Sequence, residues 1–314
     1  MPDSVEPRPM VLRTFRVRTS NHVGVLARVL GILAEHGASI GDLRTVFMGP
    51  LSRVRDIEIG FADADSIEPA IRAIEATGEA HVLEVRDEVL DLHVGGKLVI
   101  RARHPIATEA DLRRVYTPGV GEVARRIAAE PELADHYTMR ASTVAIVSDG
   151  TAILGLGNLG PLAALPILEG KAAILAELVD VNCVPLAAAA VPAGDLVQAV
   201  ATLAHGFGLV LLEDIAAPRC FEVEAGLRAA GIPVFHDDQH GTAAVVLAAV
   251  IGAAGLAGLD LARCRVGCIG LGAAGTAIAR ALMDYLGRPV FGADLDPAAI
   301  ERFRASGEIG RAHV

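Results

Sequence analysis

The segment that most restricts the fold is Gly270-Leu271-Gly272-Ala273-Ala274-Gly275, which follows an apolar run, Cys264–Ile269, and opens a helical run, Thr276–Tyr285. An apolar strand, a glycine-rich turn and a helix N-terminus in that order begin a βαβ unit whose backbone amides approach a pyrophosphate. The next apolar run, Pro289–Ala293, ends on Asp294, about 20 residues past the fingerprint, where a carboxylate accepts from a ribose hydroxyl. It would repel a 2′-phosphate, so NAD is expected rather than NADP, with Gly270, Gly272, Ala273, Ala274, Gly275 and Asp294 as the binding residues. A tight strand-to-helix turn holding no ligand would use the same glycines; the acid at the next strand end favours the cofactor.

Two acidic pairs have a similar setting. Glu213-Asp214 ends Leu209–Leu212, and Asp237-Asp238 follows Ile232–Phe235, so both fall at strand C-termini, the ends that line the ligand crevice of an open parallel sheet. Convergent carboxylates repel one another unless a cation joins them. Hard oxygen ligands suit Mg²⁺ or Mn²⁺, which also serve as Lewis acids. Either pair alone reads equally as a solvated loop. Lys171 lies in an otherwise apolar stretch, Leu162–Leu178, where burial is expected to lower its pKa toward that of a useful base. Without that burial it is a solvated helix charge, and Tyr116, before Thr117-Pro118-Gly119-Val120, reads by itself as packing.

The chain divides into three blocks. The first opens with alternating apolar and polar residues over Leu12–Arg18, a half-buried strand, and continues with an amphipathic helix through Val25–Leu33 that stops at Gly37. Strands over Ile40–Phe47, Val54–Phe61 and Ala80–Asp87 and a helix over Ile67–Ala76 complete a βαββαβ order. That order, with the Gly24 turn opening the first helix, resembles an ACT domain over residues 11–88. The resemblance implies a ferredoxin-like fold and a small-molecule effector, an amino acid or similar, near Asn21–Val25. A dimerisation module that binds nothing has the same order, since fold alone does not settle function. A polar hinge around Leu92–Gly96 leads to an α/β block over 89–240, and a long apolar helix, Ala243–Leu256, opens the last block, 241–307.

Composition narrows the functional classes. A hydrophobic content of 52 % is ample for buried cores, and 38 acidic against 28 basic residues, a formal charge of −10, argue against nucleic-acid partners or a polybasic membrane contact. Cys183, Cys220, Cys264 and Cys268 lack the spacing of a disulfide scaffold or a zinc site and are expected to be reduced, mostly buried thiols in the cytoplasm. Met1–Pro9 has no apolar core like that of a signal peptide, and the longest Ala- and Leu-rich runs look too broken to span a membrane.

The strings Tyr116–Val120 (YTPGV), Ser148–Lys171 (SDGTAILGLGNLGPLAALPILEGK), Leu212–Phe221 (LEDIAAPRCF) and Pro233–Ala244 (PVFHDDQHGTAA) resemble those of bacterial NAD-dependent malic enzymes, over residues 89 to about 305. The resemblance implies an α/β fold with a Rossmann-type dinucleotide domain and oxidative decarboxylation of malate to pyruvate and CO₂. It also implies a homodimer or higher homo-oligomer. Carried over position by position, it makes Tyr116 the general acid, Lys171 the general base, and Glu213, Asp214 and one of Asp237 and Asp238 the metal ligands. Asp238 is the favoured third ligand, leaving Asp237 to orient the lysine or a metal-bound water. An ACT-regulated amino-acid dehydrogenase would share the glycine fingerprint but needs no paired metal carboxylates, and a catalytically dead sensor would bind effector without turnover. The resemblance further implies a nucleotide domain that is incomplete at Val314. Ile309–Val314 back-translates to ATCGGAAGAGCACACGTC, a common sequencing-adapter string, so residues 308–314 are expected to be an artefact rather than part of the fold.

Overall fold

The computed structural model describes residues 11–153, 156–305 and 312–313. The Met1–Pro9 stretch and most of the suspected artefact at 308–314 lie outside them. The chain forms two compact units, divided between Gly96 and Lys97.

The first unit contains β1 (Val11–Ser20), α1 (Val25–Glu35), β2 (Ser39–Met48), β3 (Ser52–Phe61), α2 (Ile67–Glu75), β4 (Ala80–Arg86) and α3 (Glu88–His93). The first six reproduce the order read from the sequence. They form an antiparallel sheet ordered β2-β3-β1-β4. Because strand side chains alternate faces, Phe15, Val17, Ile57, Ile59 and Phe61 pack together with Val29 and Leu33 of α1 and Ala70 and Ile74 of α2. The boundary differs from the expected one. Asp87 caps α3 by accepting from the Leu90 amide at 3.0 Å, so Leu92 and His93, read as hinge, are helical. Val89 and Leu92 line a cleft of about 250 Å³ with Leu12, Thr14 and Glu58 of the sheet.

The second unit continues with α4 (Glu109–Val115), α5 (Val120–Ala129), α6 (Ala134–Tyr137), β5 (Thr143–Ser148), α7 (Pro161–Val179), β6 (Asn182–Ala187) and α8 (Ala193–Leu203). Then come β7 (Leu209–Leu212), α9 (Arg219–Ala229), β8 (Val234–His236), α10 (Thr242–Leu256), β9 (Gly267–Ile269), α11 (Ala273–Leu286), β10 (Phe291–Ala293), α12 (Pro297–Ala305) and β11 (Ala312–His313). A parallel sheet ordered β6-β5-β7-β8 is covered on both faces. Ala145, Val147, Val210 and Leu212 pack with Leu196 and Val200 of α8 and Val223 and Leu227 of α9. Ile146 and Leu211 turn the other way, onto Leu168 and Ala172 of α7. A second parallel sheet, β11-β10-β9, carries the glycine-rich turn. Both sheets lie within one compact unit, so the expected division at Gly241 separates sheets rather than bodies.

Three expectations need correction. The strand read as Cys264–Ile269 and buried is only Gly267–Ile269, with Ile269 94 % exposed, because β9 is an edge and pairs with β10 alone among the described residues. Of the four free cysteines only Cys220 is buried. Among the described residues one helical stretch, Asp237–Leu256, is long and apolar enough by length and composition to cross a membrane, and 17 % of its most apolar 18-residue window is buried; its Asp237-Asp238 start belongs to the acidic site below.

Candidate active site

Parallel pairing of β5, β7 and β8 brings their C-terminal ends side by side, and each end continues into acidic residues: Asp149, Glu213-Asp214 and Asp237-Asp238. Oxygen atoms from Glu213, Asp214 and Asp238 lie within 4.8 Å of one another. Asp237 takes a different direction. The π-turn over Asp237–Gly241 that precedes α10 separates the neighbouring aspartates. Asp237 Oδ2 pairs with Lys171 Nζ at 2.5 Å, whereas Asp238 Oδ2 accepts from the Asp214 amide at 3.1 Å. Lys171 also pairs with Glu213 Oε1 at 2.8 Å, so it joins the two acidic pairs.

The electrostatics follow from burial. Glu213 and Asp214 are each 5 % exposed. Burial pushes the Glu213 carboxyl up to about 7, Lys171 offsets only part of this, and the charges on Asp238 and Asp237 add to it. Asp214 is raised by burial and by Asp238. Lys171 corrects a sequence expectation: burial does pull its pKa down, but the hydrogen bonds and charges of Asp237 and Glu213 outweigh that, and the net shift is upward. As it stands, the lysine is an ammonium held by two carboxylates.

The donor set fits a hard divalent cation. Three carboxylates converge, and the buried Oε2 of Glu213 has no hydrogen-bond partner, a costly condition unless something positive engages that oxygen. His236, on β8, is fully buried with both ring nitrogens lacking a hydrogen-bond partner and stands 4.0 Å from Asp238 Oδ2; burial lowers its pKa, against the opposing charge of Asp238. Tyr116 ends α4 and is 66 % exposed. Among the described residues its phenol makes no hydrogen bond to the acidic cluster.

The glycine-rich turn is built as its sequence requires. A Cβ at Gly275 would stand 1.8 Å from the Gly270 carbonyl oxygen, so only glycine lets α11 start so close to β9. Gly272, Ala273 and Ala274 lie at the opening of α11, Gly272 as its N-cap. Asp294 follows β10 and faces the turn itself: its Oδ2 accepts from the Leu271 amide at 2.5 Å and its Oδ1 from the Asp296 amide at 2.8 Å. These amides hold its carboxyl below the usual range.

Sequence reading missed Asp149, which is fully buried. The signal was available, since Ser148-Asp149-Gly150 ends an apolar strand just as the two recognised acidic pairs do. Gly150, at φ +66°, packs so tightly that a Cβ would lie 2.1 Å from the Gly160 carbonyl oxygen.

Comparison with known proteins places these features in a family context. Residues 96–191 match the family model described as malic enzyme, N-terminal domain. NAD-dependent malic enzyme 1 of Bacillus subtilis is 44 % identical over 299 residues, covering 95 % of this chain and 68 % of that protein. The NAD-dependent malic enzyme of Geobacillus stearothermophilus is 37 % identical over 282 residues, 90 % of this chain and 59 % of its own length. The crystal structure of an NAD-dependent malic enzyme from Thermotoga maritima superposes with a TM-score of 0.67 at 38 % identity, over 71 % of this chain and 62 % of that one. The chain thus spans roughly three-fifths to two-thirds of the relatives it matches.

Proposed function

From the premise that this chain belongs to the malic enzyme family, we propose that it carries the substrate and metal machinery for NAD-linked oxidative decarboxylation of malate to pyruvate and CO₂. The observation that carries this reading is Lys171 clasped between Glu213 and Asp237, beside the Glu213, Asp214 and Asp238 cluster. A hydroxy acid held at these strand ends presents its hydroxyl to the lysine and its carboxylate to the cation site.

Glu213, Asp214 and Asp238 would hold Mg²⁺ or Mn²⁺, which when bound supplies Lewis-acid polarisation of the substrate's oxygens. Lys171 is the base for the hydroxyl proton, and its state depends on its partners. While Glu213 and Asp237 both direct their charge at it, the ammonium keeps its proton; with the Glu213 carboxylate engaged by a cation, only Asp237 still favours the charged form. Asp237 then orients the amine. Tyr116 protonates the C3 carbon after CO₂ leaves, a role that rests on the YTPGV string and on an exposed phenol free to turn toward substrate. The Gly270–Gly275 turn and Asp294 bind NAD, in line with the cofactor in the names of the Bacillus subtilis and Geobacillus stearothermophilus relatives.

We assign the first unit to effector sensing of the ACT type, on its βαββαβ order and its sheet order. Gly24 opens α1 at φ +86°, and the preceding Val23 is fully exposed, leaving the Asn21–Val25 turn open to a small ligand. Calorimetric titration with each of the twenty common amino acids tests it, and no heat of binding from any of them would count against that assignment.

For the main reading, the purified protein is assayed for malate-dependent NADH formation with Mn²⁺ and again in EDTA. Turnover that survives chelation, or a wild type that oxidises no malate, overturns it.

A further inference from the structure

Asp214 is one of two non-glycine residues with positive φ among the described residues, at +53°. A side chain rarely persists there unless its surroundings hold the backbone in place. Three hydrogen bonds do so. The Asp214 carbonyl oxygen accepts from the Ala152 amide at 3.1 Å, the Asp214 amide donates to Asp238, and the Ala216 amide donates to Thr151 Oγ1 at 3.0 Å. Two of the three come from the loop after β5.

That loop is fixed in turn. Asp149 Oδ1 accepts from both the amide and the hydroxyl of Thr151, at 3.0 and 2.6 Å. The other Asp149 oxygen pairs with the guanidinium of Arg219, the first residue of α9. Arg219 also donates to the Val191 carbonyl oxygen and reaches Thr151 Oγ1 at 3.4 Å. Asp149 lies outside the cation-site carboxylates, and the proposed reaction gives it no part. Asp149 is fully buried and Arg219 partly so; such an ion pair is poor value for stability alone, since desolvation opposes it, and such pairs are retained where they specify a local arrangement.

We propose that Asp149, Thr151 and Arg219 are positioning residues that hold the left-handed backbone of Asp214 and thereby aim its carboxylate at the cation site. Their effect passes through Thr151 to the Ala216 amide and through the neighbouring Ala152 to the Asp214 carbonyl, so none of the three touches substrate or cation. The inference rests on the metal reading of the Glu213, Asp214 and Asp238 cluster.

The test titrates the purified chain with Mn²⁺ alone and reads free Mn²⁺ by electron paramagnetic resonance, with thermal unfolding followed by circular dichroism. Thr151→Val removes the bridging hydroxyl and is expected to weaken Mn²⁺ binding by about 10–100-fold. Thr151→Ser restores the hydroxyl and should recover the wild-type affinity. Arg219→Lys, which keeps the charge but not the two-pronged geometry, should fall between them and provides the reading if Thr151→Val does not fold. Thr202→Val, which loses an exposed hydroxyl on α8, should leave the affinity unchanged. A lowered unfolding temperature with unchanged Mn²⁺ affinity in both Thr151→Val and Arg219→Lys would make the network merely structural and overturn the proposal. A wild-type chain that binds no Mn²⁺ would overturn the metal reading first, and this proposal with it.

Discussion

Glu213 carries its proton into the neutral range because burial outweighs the lysine beside it, and that has a measurable sign. A carboxyl raised in the folded state from its ordinary value of 4.5 to about 7 costs stability progressively as pH rises through that window, since the folded chain holds the proton more tightly than the unfolded one. Mn²⁺ competes with this proton, so Mn²⁺ affinity should drop as pH falls below about 7. Glu213→Gln should bind more weakly and lose most of that pH dependence; an unchanged pH profile in the variant would place the proton elsewhere. Lys171 and Tyr116 separate by the half of the reaction each serves. Lys171→Ala should suppress malate oxidation, and Tyr116→Phe should chiefly suppress tritium exchange into C3 of pyruvate, each by roughly 10²–10⁴. If Tyr116→Phe slowed malate oxidation, oxaloacetate reduction and pyruvate exchange equally, the tyrosine would be a positioning residue.

At the level of strands and turns, register decides which charges meet. Asp56 on β3 is directly opposite Arg16 on β1 and Arg44 on β2, and Arg86 of β4 completes the cluster at 3.0 Å. The hydrogen bonds from Arg16, against the opposing effect of burial and with the help of Arg44, hold the Asp56 carboxyl at about 2. Because that value lies below the ordinary one, the stabilisation is fully present above pH 3.8 and is lost as pH falls from there through about 2. Asp56→Asn should therefore be less stable at neutral pH, with a flatter loss of stability in acid, measured by urea unfolding at several pH values. A variant matching the wild type throughout would show that the cross-strand cluster contributes nothing. At the end of β10, Asp294 braces the glycine-rich turn through Leu271. Replacement by Ser should narrow the preference of kcat/KM for NAD over NADP, and a wild type that prefers NADP would remove Asp294 from the discriminating role.

Across the whole molecule, acidic residues outnumber basic ones by ten, and one group of them gathers at a single set of strand ends. Four carboxylates lie there, Glu213, Asp214, Asp237 and Asp238, and Lys171 pairs with only Glu213 and Asp237, so a bound cation relieves repulsion as well as binding ligands. Saturating Mn²⁺ at about 100 times its dissociation constant should stabilise the folded state by about 2.7 kcal/mol. That corresponds to a rise of several degrees in the melting temperature of the second unit. EDTA should reverse the rise. A melting temperature indifferent to Mn²⁺ at that excess would mean that the carboxylates hold no ion in the native state.

Local pattern was enough to mark the βαββαβ order, the glycine-rich turn and the two acidic pairs, because period-two alternation, glycine punctuation and acids at the ends of apolar runs are properties of neighbouring residues. Their partnerships were not local. That Asp237 clasps Lys171 while Asp238 joins Asp214 depends on the π-turn at Asp237–Gly241 and on β7 lying beside β8. The upward shift of Lys171 escaped the sequence for the same reason: an apolar flank predicts desolvation, but the carboxylates that reverse it arrive from strands distant in the chain. The Asp149–Arg219 pair likewise joins the loop after β5 to the start of α9 only because parallel pairing of β5 and β7 puts their ends together. Residue type and spacing determined which chemistry was present, and the three-dimensional pairing of strand ends decided which charges face one another, because electrostatic coupling depends on distance and burial rather than on separation along the chain.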